Sequence, residues 1–118
     1  MLGKLLEEVK VAMAWLVLLA SGCMECVWAT ALDKSEGFTH PIPTVVFIVA
    51  CILSMLGLGF ALKTLPVGTS YAVWVGTGAV LTMAYGMVTG AETISLVKIL
   101  LVIGLIACIA GLKLVSDA

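Results

Sequence analysis

Glu25 is the single charged residue between Val11 and Leu32, 14 positions after the first and 7 before the second. An ionisable group deep in an apolar span costs about 2.5–3.5 kcal/mol on insertion scales, so it usually marks function. Burial disfavours the charged form of a carboxyl group, whereas a neighbouring cation favours it. One such group therefore carries a proton or a cation, but not comfortably both. A glutamine would hydrogen-bond to a neighbouring helix equally well without titrating, which weakens a purely structural reading.

At helical spacing Gly22, Glu25, Trp28 and Ala29 share one face. Trp28 thus stands one turn from the carboxylate, where an indole can stack on a planar cation or donate its N–H. A place in an interfacial aromatic belt is the other reading of Trp28. Tyr71 and Trp74 are also three apart and are followed by Gly76 and Gly78, glycines that permit a bend or a close helix contact. Ser54, alone among apolar residues, reads in isolation as a structural hydroxyl bonded to its own i−4 carbonyl.

Gly104, Ala107, Cys108 and Gly111 form a small-residue face at i, i+3, i+4 and i+7, which predicts a dimer seam. Cys23 and Cys26 make a C-x-x-C without a second pair or a nearby His or Asp, too few ligands for zinc. With the isolated Cys51 and Cys108 they are read as small apolar packers. His40 is read as a solvated loop residue. No metal, cofactor or enzymatic constellation is expected.

The elements that must position these residues follow from composition. The chain has 118 residues, 63% of them hydrophobic and only 11% charged, with a mean hydropathy of +1.26. So small a soluble fold has too little interior to hide that much apolar surface. Six basic residues, all Lys, and a net charge of −1 give nucleic-acid binding no electrostatic support. The natural solvent is a lipid bilayer.

Residues 37–62 and 64–91 contain no Asp, Glu, Lys or Arg, with His40 near the start of the first stretch, and about 20 residues cross the hydrocarbon core as a helix. Lys98 and Lys113 bracket a shorter run, but both can snorkel to the interfaces. The reading is an all-α membrane protein with four transmembrane helices, at about 12–33, 42–62, 68–90 and 95–114. A β-barrel would need short alternating segments instead of these continuous runs. Pro41, Pro43 and Pro66 fall at helix entrances, where a missing N–H costs nothing. A cleaved signal peptide is not expected, since the first run is too long and three more follow. Residues 1–12, with Leu2, Leu5, Leu6 and Val9 interleaved with Lys4, Glu7, Glu8 and Lys10, read as an amphipathic extension ahead of a transporter domain over 13–118.

With four spans, Lys4, Lys10, Lys63 and Lys113 share one side and Lys34 and Lys98 the other. Without the extension the count is two against two, so the positive-inside bias almost vanishes. Such a chain can insert both ways and pair with an inverted copy of itself.

The segments Gly22-Cys23-Met24-Glu25-Cys26-Val27-Trp28-Ala29, Lys63-Thr64-Leu65-Pro66-Val67-Gly68-Thr69-Ser70-Tyr71-Ala72-Val73-Trp74-Val75-Gly76-Thr77-Gly78 and Gly111-Leu112-Lys113 resemble the small multidrug resistance family. The resemblance covers about residues 13–115. Trp28, three residues after the glutamate, together with Ser54 is similar to the guanidinium exporter subtype. It implies an antiparallel, dual-topology homodimer of four-helix subunits in the bacterial inner membrane that exchanges protons for guanidinium or substituted guanidinium by alternating access. It also implies that Glu25 is the shared proton and substrate carboxylate, Trp28 and Ser54 its hydrogen-bond partners, Tyr71 a switch-like contact to it and Trp74 a pocket wall. Cys26, Asp33, Val75 and Thr77 depart from the family's usual residues without removing a site residue. The competing expectations are a quaternary ammonium exporter of the same family and one subunit of a heterodimer.

Overall fold

The chain forms helix wherever no breaker interrupts it and turns at its prolines and glycines. A computed structural model describes residues 1–116. It contains α1 (Leu2–Lys34), α2 (Pro41–Leu62), α3 (Val67–Thr89) and α4 (Leu96–Leu114), with no strand among the described residues. All four helices are long and apolar enough to cross a membrane. Their ends fall within one residue of the expected ones, except that α1 begins at Leu2 instead of residue 12. The amphipathic segment and the first span are one continuous helix, because no proline separates them and their helical periodicity runs on. Residues 2–10 are all exposed.

The connections use the residues that end helices. Pro41 opens α2 after an extended His40, Pro66 caps α3 in extended geometry, and the Ser95 side chain accepts the Lys98 N–H at the start of α4. Gly90, at φ 83°, closes α3 in the left-handed region. The α1–α2 turn is less ordinary, since Glu36, Gly37 and Phe38 all have positive φ, at 47°, 71° and 68°. Ser35 holds this turn: its hydroxyl donates to the Leu32 carbonyl at 2.7 Å and accepts the Phe38 N–H at 3.2 Å. Its own carbonyl accepts the N–H groups of Thr39 and His40.

Antiparallel α1 and α2 pack tightly because Gly57 lets Ser21 and Val17 approach its Cα. α3 packs on α1 as well. A core of Ala14, Trp15 and Leu18 from α1, Ala61 and Leu65 from the end of α2 and its turn, and Val73 and Trp74 from α3 binds the three together. By contrast, α4 has no buried residue. It leans on α3 through Ile109, which approaches Gly76, while the Lys113 ammonium lies 5.4 Å over the Trp15 ring. Much of α2 is exposed and apolar, including Ile42, Val45, Ile48, Val49, Ile52 and Leu56, as lipid contact requires.

Candidate functional site

Glycines allow α1 and α3 to touch backbone to backbone where the charged residue sits. A methyl group on Gly22 would stand 3.1 Å from the Trp74 carbonyl oxygen and from Thr77 Cβ. One turn further along, a Cβ on Gly78 would collide with the Glu25 Oε2, so the Glu25 carboxylate rests on the bare backbone of α3. Thr82 donates its hydroxyl to the Gly78 carbonyl at 2.7 Å, occupying one acceptor beside the carboxylate. Gly76 serves the opposite face of α3, where Ile109 would lie 3.0 Å from an added Cβ. Both glycines therefore act by close packing, within a helix that continues through them to Thr89.

Four buried side-chain polar atoms have no hydrogen-bond partner among the described residues: Glu25 Oε2, Trp28 Nε1, Ser70 Oγ and Trp74 Nε1. All belong to α1 or α3. In apolar surroundings an unpaired donor or acceptor costs about 1–3 kcal/mol, so each of the four calls for an explanation. One acceptor and two indole donors come from residues that the sequence pattern singles out. Ser70 does not, although its place one turn before Trp74 and beside Tyr71 is a visible signal.

Ser54 meets α1 in a way the sequence does not anticipate. Its hydroxyl is fully buried and donates at 2.7 Å to the Ser21 carbonyl, neither to its own i−4 carbonyl nor to Glu25. Ser21 is four residues before Glu25, so Ser54 grips the turn of α1 that ends at the carboxylate. Tyr71 is 57% exposed, and its ring lies 5.9 Å from that of Trp74. Trp74 faces the core while Tyr71, three residues earlier, looks outward. The structure brings Glu25 and Gly78 together and leaves Tyr71 on the surface of the single chain.

Trp28 is half-buried and meets Phe47 of α2 edge-on, with centroids 6.0 Å apart and planes at 68°. Phe47 in turn contacts Phe38 of the turn at 5.8 Å. The face of α4 that carries Gly104, Ala107 and Cys108 is exposed, with Gly111 half-buried, and nothing lies within 4 Å of an added Cβ at Gly104 or Gly111. Cys23 and Cys108 are exposed and Cys26 and Cys51 half-buried, all as free thiols. No group of three His, Cys, Asp or Glu able to hold a metal occurs among the described residues. His40 is exposed, with Nε2 3.1 Å from Glu36 Oε2.

Of the departures from the family pattern, Thr77 packs on Gly22 and Val75 packs on the core. Cys26 lines an apolar cavity with Val27, Ile42 and Val46, and Asp33 lines a second one, of mixed character, with Thr30, Thr82 and Glu92.

Residues 13–106 match the family described as Small Multidrug Resistance protein. Similar proteins include a guanidinium exporter of Yersinia pseudotuberculosis, 44% identical over 104 residues that cover 88% of this chain and all of the relative. A guanidinium exporter of Proteus vulgaris is 40% identical over the same shares, and one of Citrobacter freundii is 44% identical over 86% of this chain and 97% of its own. With four membrane-length helices and a match over most of its sequence, the chain belongs to the small multidrug resistance family of multi-pass membrane transporters.

Proposed function

We propose that this protein exports guanidinium-type small cations in exchange for protons, as an antiparallel homodimer of dual topology in the bacterial inner membrane. The observation that carries this reading is the Glu25 carboxylate, buried at Oε2 without a donor, on a helix pair that also holds the unpartnered N–H groups of Trp28 and Trp74. The names of the relatives, each a guanidinium exporter, support the substrate class. A guanidinium ion presents donors in one plane, which a carboxylate accepts in a charge-assisted, bidentate way, while aromatic faces receive the flat cation. Bulkier, rounder cations lack both features.

Two copies would bring two Glu25 groups to one pocket. Their protons then come off in macroscopic steps that belong to the pair, and substrate competes with those protons. Competition for one site is itself the coupling between substrate leaving and protons entering. Because the two subunits are identical and inverted, exchanging their conformations converts an outward-open dimer into its inward-open equivalent. The lysine balance supports dual insertion, and the uncovered small-residue face at Gly104, Ala107, Cys108 and Gly111 offers a seam for the second copy. Tyr71, exposed beside Trp74, is available to the partner's carboxylate. Ser54 supports the pocket through Ser21.

The test is electrical recording from proteoliposomes on rapid addition of guanidinium and, separately, of tetraalkylammonium ions. Guanidinium currents that vanish in Glu25→Gln are expected. Proton flux driven by guanidinium in that variant would overturn the assignment of Glu25, and currents with tetraalkylammonium alone would move the protein to the drug-exporter class. Trp28→Gly is expected to weaken guanidinium selectivity.

A further inference from the structure

We infer that Phe47 is a positioning residue for Trp28: braced by Phe38 of the α1–α2 turn, it sets the plane of the indole and so the affinity for guanidinium. The inference rests on the proposed role of Trp28 beside Glu25. Trp28 Nε1 is buried and makes no hydrogen bond, so no polar contact restrains this ring. Packing alone must aim its N–H. The ring that packs on it is Phe47, at a centroid distance of 6.0 Å and an interplanar angle of 68°, the edge-to-face arrangement in which a positive ring edge meets a negative face.

Three features make this contact a specific support. The Ser54 bond to the Ser21 carbonyl and the close approach of Gly57 to Ser21 set the register of antiparallel α1 and α2, which brings Phe47 level with Trp28. Phe38 then backs Phe47 at 5.8 Å. Phe38 is held there in a left-handed conformation, φ 68°, by the N–H it donates to the Ser35 hydroxyl. A non-glycine residue seldom adopts that conformation unless the surroundings over-determine it. The turn, Phe38, Phe47 and Trp28 are therefore one connected support that reaches from the helix hairpin to the residue one turn beyond Glu25. An aliphatic residue at position 47 would fill the volume but supply no ring edge.

The full-length protein labelled with 5-fluorotryptophan gives a fluorine signal for each of Trp15, Trp28 and Trp74, with one resonance per subunit conformation, assigned by single Trp→Phe changes. Phe47→Leu is expected to shift or broaden the Trp28 resonance and leave the other two in place, and Phe38→Leu to do so to a smaller degree. In proteoliposomes Phe47→Leu is expected to raise the guanidinium KM about threefold to tenfold, the range an aromatic pair commands, with the maximal current retained. Phe47→Tyr, which keeps the ring, should restore both readouts. A Trp28 resonance that stays put in Phe47→Leu, or three resonances that move together, would overturn the role of Phe47 while leaving the guanidinium current of the unaltered protein intact. Absence of that current would instead overturn the transport reading beneath it. If Phe47→Leu does not fold, Phe38→Leu in the exposed turn carries the same test.

Discussion

Glu25 and Gly78 occupy each other's space: the carboxylate of α1 lies where any side chain on α3 would begin. Gly78→Ala therefore forces the carboxylate out of its seat or pushes the helices apart, and overpacking of this kind costs about 1–3 kcal/mol. Guanidinium transport is expected to fall by at least about tenfold, which corresponds to about 1.4 kcal/mol. Gly76→Ala meets only the flexible end of Ile109 at 3.0 Å and should cost far less. Initial currents of the two variants at equal reconstituted amounts check the contrast, and equal losses would argue against Gly78 as the seat of the carboxylate.

Ser54→Ala removes a buried interhelical hydrogen bond of 2.7 Å to the Ser21 carbonyl. Such a bond contributes about 0.5–1.5 kcal/mol net. Because the carbonyl lies inside α1, it keeps its intrahelical N–H partner and is not orphaned. A lower unfolding temperature in detergent is expected, together with a modest rise in guanidinium KM. Transport lost with no change in thermal stability would instead indicate a direct contact with substrate.

The proposed competition at Glu25 gives the pH dependence its sign. On that proposal the deprotonated carboxylate binds the cation, so lowering pH is expected to fill the site with protons and raise the apparent KM for guanidinium, and raising pH to lower it. The change approaches tenfold per pH unit when one proton is displaced per cation, as linkage requires (about 1.4 kcal/mol per unit). Stopped-flow or current titrations across a pH series measure it. A KM independent of pH would exclude a shared site.

On α4 a Cβ added at Gly104 or Gly111 meets nothing within 4 Å in the single chain. Gly104→Ile and Gly111→Ile should therefore leave the subunit's fold unchanged, apart from a small gain in helix propensity. If this face joins two copies, each change shifts the protein from dimer to monomer and lowers transport with it. Chemical crosslinking in native membranes reads the first effect and liposome currents the second.

The helices, their ends apart from the start of α1, and the one acidic residue within a span were legible in the sequence because each depends on local rules. Apolar runs of span length, prolines at α2 and α3 and a lone glutamate among apolar residues announce themselves without neighbours. Helical periodicity likewise put Glu25 and Trp28 on one face. What those rules could not supply was distance between helices. That Glu25 rests on Gly78 while Gly76 faces α4, that Ser54 reaches the Ser21 carbonyl, and that Tyr71 looks outward while Trp74 is buried all depend on rotation and register between elements. Phe47, one apolar residue among many on α2, acquires meaning only where α2 lies beside Trp28. Local sequence determined which segments are long and apolar enough to cross a membrane and which of them holds an ionisable group. Tertiary packing, led by the glycines that let helices touch, decided which neighbours that charge has, because contacts between helices far apart in sequence follow from shape and not from period.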